Sequence, residues 1–137
     1  MISSAETEEL GSDVVVIRDG TKAIEALRRA DLSKLPRKER VFMGLYLRFG
    51  LSGNVELNLA SITKLVYPEY FELPQKKRES LCGSVYQALR QLIAKGILKS
   101  SVNTPKYKLI NNANAKAYVC YIAKKRFGID IPREIVN

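Results

Sequence analysis

Residues 74–110 read PQKKRESLCGSVYQALRQLIAKGILKSSVNTPKYKLI, and the order of signals within them decides the fold. Leu81, Val85, Leu89 and Leu92 recur at spacings of three and four, with Cys82, Ala88 and Ile93 beside them. That spacing lays one continuous apolar stripe along a helix. The opposite face carries Lys76, Lys77, Ser80, Gly83, Ser84, Gln87 and Gln91, flanked by Arg78, Tyr86 and Arg90, with Glu79 as its single acid. Lys95-Gly96 closes the helix with a positive last turn and a left-handed cap. Two short strands are then predicted over residues 97–101 and 106–110, around the polar tip Val102-Asn103-Thr104-Pro105. They make a β-hairpin whose second strand alternates Lys106 and Lys108 with apolar residues.

Upstream, Val14-Val15-Val16-Ile17 is a β-branched run ended by the turn signal Arg18-Asp19-Gly20. Thr21 is placed to cap a helix over residues 21–30, with Ile24 and Leu27 inward and Arg28 and Arg29 outward. Pro36 suits the first position of a second helix, which carries Val41, Phe42, Leu45 and Phe49 at helical spacing and stops at Gly50. Val55-Glu56-Leu57 alternates like a very short strand. Asn58 can then cap a helix through Leu59, Ile62, Leu65 and Val66 that ends at Tyr67-Pro68. Residues 69–74 form a loop whose Tyr70 and Phe71 are expected to tuck against the core. Downstream of the hairpin, Asn112 or Asn114 caps a last helix over 113–127, stopped by Gly128, and Ile129-Asp130-Ile131-Pro132 leads into a final turn. Residues 1–13, acidic and without periodicity, are expected to be a mobile tail. The remainder, 14–137, is expected to be a single domain.

Composition narrows the function. The chain has 137 residues, 46% hydrophobic and 27% charged, the make-up of one globular domain. No apolar run approaches the roughly 20 residues of a membrane helix, and residues 1–9 are acidic where a secretory signal is basic and then apolar. A cytoplasmic protein without membrane partners is expected, associated with the nucleoid if the host is a prokaryote. There is no histidine, and the two cysteines, Cys82 and Cys120, lie far apart, which excludes histidine triads, histidine general bases and Cys/His zinc sites. No cofactor, small-molecule ligand or enzymatic activity is expected. Both cysteines read as small core hydrophobes.

Charge points to a partner instead. Residues 1–72 hold 10 basic and 11 acidic side chains, whereas residues 73–137 hold 13 basic and 3 acidic ones, so the second half supplies the whole of the net +9. An excess concentrated on one side of a small domain selects an anionic partner. Nucleic acid is the first candidate, because lysines that neutralise phosphates release condensed counterions.

Over residues 36–110 the order helix, short strand, helix, longer helix, hairpin resembles the winged helix-turn-helix DNA-binding family. The resemblance rests on Val55-Glu56-Leu57, on the stripe from Leu81 to Ile93 closed by Lys95-Gly96-Ile97-Leu98, and on Lys106-Tyr107-Lys108-Leu109. One departure is the long link over residues 67–74, where many members have a tight turn. The resemblance implies a fold that is α+β, mostly α: a winged helix-turn-helix with an extra N-terminal strand and helix and a C-terminal helix. It further implies double-stranded DNA as partner, with the third helix in the major groove and the hairpin wing on the backbone or minor groove.

Residue chemistry suits those roles. Gly83 and Ser84 let a backbone approach base edges, Gln87 matches adenine and Arg90 guanine, and Ser80 and Gln91 share their face. Lys76, Lys77 and Arg78 can neutralise phosphates, and Lys99, Asn103, Thr104 and Lys106 can reach a flanking phosphate or minor groove from the wing. Tyr86 can serve as a phosphate donor or as a packing residue. A solvated helix face explains Ser84, Gln87 and Gln91 equally, and edge protection explains Lys106 and Lys108. The expected function is a sequence-specific transcriptional regulator acting by site occupancy. A protein-interaction module and a non-specific nucleic-acid-packaging protein are the alternatives. Such regulators commonly act as homodimers, and Tyr118, Val119, Tyr121 and Ile122 on the last helix are the expected seam, with Lys124 and Lys125 at its rim or on the DNA.

Overall fold

The long apolar stripe folds as a 20-residue helix, α4 (Gln75–Ala94). The computed structural model describes residues 7–10, 14–101, 103 and 105–137. Among them are four further helices: α1 (Gly20–Arg29), α2 (Arg37–Phe49), α3 (Leu59–Val66) and α5 (Ala113–Phe127). Six short strands accompany them: β1 (Thr7–Leu10), β2 (Val14–Ile17), β3 (Leu57–Asn58), β4 (Leu98–Ser100), β5 (Lys106–Leu109) and β6 (Ile129–Asp130). The fold is α+β and mostly helical.

The strands form two small sheets, ordered β1-β2-β6 and β3-β5-β4. In the second, β5 runs antiparallel to both neighbours, pairing Leu57 with Tyr107 and Asn58 with Lys106 on one side, and Lys99 with Lys108 on the other. Because β5 is the central strand and β3 pairs with its Lys106 and Tyr107, edge protection does not explain Lys106. The first sheet departs further from the sequence reading. Thr7–Leu10 pairs antiparallel with β2 where a tail is expected, and Ile129–Asp130, read only as part of a turn, pairs parallel with it. The rest of the expected tail, residues 1–6 and 11–13, lies outside the described residues.

Local chemistry sets the helix ends. Asp19, not Thr21, caps α1, because its carboxylate accepts the Lys22 amide at 3.1 Å. Pro36 stands just before α2 rather than inside it, at ψ 150°. Asn58 ends β3 and caps α3 through the Ser61 amide at 2.8 Å. The strand therefore falls at Leu57–Asn58, overlapping the expected 55–57 only at Leu57. Asn112 caps α5 through the Ala115 amide, and its amide group donates to the Gly96 carbonyl at 2.8 Å. Gly96, at φ +75°, reverses the chain out of α4 while the amides of Gly96 and Ile97 satisfy the last carbonyls.

One cluster of buried side chains extends from Ile17 to Val136. Val41, Phe42 and Met43 of α2 lie at its centre, against Val85, Leu89 and Leu92 of α4 and Ile62 of α3. The last helix belongs to this core. Tyr118, Val119 and Ile122 are buried in their own chain, and the Tyr118 ring lies 4.9 Å from that of Phe42. The expected dimer seam is therefore not a free surface: of its four residues only Tyr121 is exposed. A carboxylate ties the helix down as well. Glu39, buried in the first turn of α2, accepts two bonds from the Arg126 guanidinium, at 2.8 and 3.0 Å.

Candidate nucleic-acid interface

Burying the apolar stripe of α4 leaves its polar face outward. Lys76, Lys77, Ser80, Gly83, Gln87, Arg90 and Gln91 are exposed, and Ser84 is half-buried. Gly83 stands in open space: a Cβ added there would meet nothing within 4 Å. A glycine in mid-helix costs up to about 1 kcal/mol relative to alanine, and no packing contact in the fold requires this one. The first turn of α4 has no side-chain cap and no acid. Lys76 and Lys77 thus sit where the helix dipole disfavours cations and favours anions.

The hairpin adjoins this face. α4 packs against β4 of the hairpin, and burial pushes the Tyr107 hydroxyl of β5 above its usual range, with Tyr86 adding to the shift and Arg90 opposing it. Tyr86 and Arg90 also pair with each other, the guanidinium donating to the Tyr86 hydroxyl at 3.5 Å. Lys99, Asn103 and Lys106 are exposed, while Thr104 lies outside the described residues. Lys99 stands directly opposite Lys108 in the ladder, a like-charge pair that weakens the hairpin by itself. The Lys108 amine donates to the Asn54 side chain at 2.8 Å. Among the described residues no carboxylate pairs with Lys76, Lys77, Lys99 or Lys106.

Arg78 is a correction. Half-buried, it points back at the link between α3 and α4, donating to the carbonyls of Tyr70 at 3.1 Å and Phe71 at 2.9 Å. Those two bonds tie it to the chain itself. The link itself is a 3-10 helix over Pro68–Glu72 and is secured from the other side too. The Arg40 guanidinium lies 3.9 Å from the centre of the buried Tyr67 ring and bonds both the Val66 carbonyl and Glu69. Phe71 is the second correction: it is not tucked against the core but 62% exposed. Neither arrangement has a local sequence signal, since both depend on where the link lies over α2 and α4.

Cys120 donates to the Ile131 carbonyl at 3.2 Å, and burial pushes its thiol up, away from the reactive thiolate. Among the described residues no three His, Cys, Asp or Glu side chains gather into a metal-binding group. No helix among them is long and apolar enough to cross a membrane.

No protein-family model, curated protein or solved structure matches the chain.

Proposed function

We propose that this chain is a winged helix-turn-helix protein that binds double-stranded DNA and acts by occupying a site, as a non-enzymatic cytoplasmic regulator of transcription. In this reading α3 and α4 are the paired helices, α4 enters the major groove, and β4 and β5 form the wing on the backbone. One observation carries it: the polar face of α4, with its stripped-down centre at Gly83, adjoins a hairpin whose lysines pair with no carboxylate among the described residues. A helix face of small and amide side chains, rimmed by free cations, matches a surface that must approach base edges between two lines of phosphate.

The charge pattern supports the same partner. Cations against the α4 dipole and the facing Lys99–Lys108 pair each cost stability in the free protein, and phosphates relieve both. A second copy on a two-fold site would have to meet this one through a surface other than the buried side of α5.

Selection of bound duplexes from a random pool, repeated at several salt concentrations, tests the reading. A recovered consensus with a steep salt dependence is expected. In that consensus Gln87→Ala and Arg90→Ala should each lose about 1–3 kcal/mol at one base pair while remaining folded. Salt-dependent binding without a consensus would make the protein a packaging factor, and no binding at all would leave a protein-interaction module.

A further inference from the structure

Among the described residues Phe71 is the most exposed of the large hydrophobic side chains, at 62%, ahead of Tyr121, Val55 and Tyr86. Single exposed apolar residues are common on proteins, but this one is mounted. Its carbonyl and that of Tyr70 both accept from Arg78, which commits a cation of α4 to holding the link in place. The Tyr70 ring meets Phe71 edge to face at 5.7 Å and 87°, and the guanidinium of Arg78 and the amine of Lys64 flank the Tyr70 ring at 5.3 and 5.8 Å. From the other side Arg40 anchors Val66 and Glu69. A rigid platform therefore presents an aromatic ring to solvent, four residues before α4 begins and held to its first turns by Arg78.

We infer that Phe71 is a base-reading residue that contacts the C5-methyl group of a thymine in the major groove, at the end of the site faced by the first turn of α4. The inference rests on the DNA-binding reading above. Its chemistry is the apolar complement to Gln87 and Arg90: an aromatic ring recognises the one apolar group that base edges show in the major groove. The neighbouring acids do not forbid it. Glu69 is occupied by Arg40, and Glu79 accepts from Gln75 at 3.4 Å. Only Glu72, exposed beside the ring, opposes a phosphate there, and a base-edge contact does not need one.

The test replaces single thymines of the selected duplex with deoxyuracil, which removes the methyl group and leaves base pairing intact. With the full-length parent, one thymine at the edge of the site should weaken binding roughly fourfold, the worth of one buried methyl. Phe71→Ala should bind the thymine duplex correspondingly more weakly and become indifferent at that position alone. Phe71→Leu, still apolar, should keep part of the discrimination. Because the side chain is exposed, circular dichroism and thermal unfolding of both variants should match the parent. If Phe71→Ala keeps every thymine-to-uracil ratio of the parent, or if the consensus has no thymine at its edge, Phe71 does not read DNA although the chain does. A parent that recovers no consensus overturns this inference and the DNA-reading function together.

Discussion

Arg78, Lys76 and Lys77 are consecutive cations with different work, and only their surroundings separate them. Arginine's planar fork reaches two carbonyls at once, which a lysine cannot do. Tyr118 is the opposite case, a polar atom without a partner. Its hydroxyl is buried and makes no hydrogen bond, and burial together with the charge of Glu39 pushes its pKa up to about 12. Tyr118→Phe removes a hydroxyl whose desolvation is uncompensated, so urea unfolding at neutral pH should show a gain on the order of 1 kcal/mol. Alkaline unfolding checks the same residue. An unfolded tyrosine ionises near pH 10, whereas the folded one holds its proton to about pH 12, so this contribution is whole below 10 and lost as pH rises through 12. Tyr46, likewise pushed up to about 12 by burial, falls off in the same window. Tyr118→Phe should lose less stability between pH 10 and 12 than the parent; an identical decline in both would show that the hydroxyl is not buried in solution.

At the scale of elements, the sequence is legible where a helix repeats its signal and mute where a strand is two residues long. The stripe through Leu81, Val85, Leu89 and Leu92 spans about three turns, so its period is unmistakable, and the burial of Val85, Leu89 and Leu92 follows it. β3 and β6 have two residues each, and two residues carry no period; their positions come from the strand they pair with. The apolar residues of α5 show a third limit. Tyr118, Val119 and Ile122 announce that a face is buried, but the spacing is the same whether the cover is a partner or the chain's own Phe42. The Phe71 expectation fails for a related reason, because an aromatic in a loop reads as a core residue until its platform is known. If α4 reads DNA as proposed, Gly83 is where an element and the interface make opposite demands. Gly83→Ala should raise the stability of α4 by up to about 1 kcal/mol, since its Cβ meets nothing, and yet weaken DNA binding. Thermal unfolding and duplex titration of the one variant read both effects, and a more stable protein with unchanged affinity would remove α4 from the groove.

Across the whole molecule, the net +10 of residues 73–137 against the −1 of residues 1–72 becomes a division of labour once the chain is folded. Many cations of the first half are consumed internally: Arg40 holds Glu69, Arg28 donates to the Leu47 carbonyl, and Arg29 pairs with Glu25. In the second half Arg126 and Arg78 are consumed in the same way, which leaves Lys76, Lys77, Arg90, Lys99 and Lys106 as the exposed cations on α4 and the hairpin. Total charge therefore overstates the interface, and the salt dependence of binding should count only the side chains that touch phosphate. Each such contact contributes about 0.9 to the slope of log K against log salt. Lys76→Ala, Lys77→Ala and Lys106→Ala should each lower that slope by about 1 and weaken every duplex alike, consensus or not. Arg78→Ala should behave otherwise. It removes the same formal charge but frees the link at Tyr70 and Phe71, so it should lower thermal stability and blur sequence preference while leaving the slope nearly unchanged. Fluorescence titrations between 50 and 200 mM salt, on the order of the range where such slopes are steep, separate the two classes. A slope that falls equally for Arg78→Ala and Lys76→Ala would mean that the guanidinium leaves its carbonyls when DNA binds.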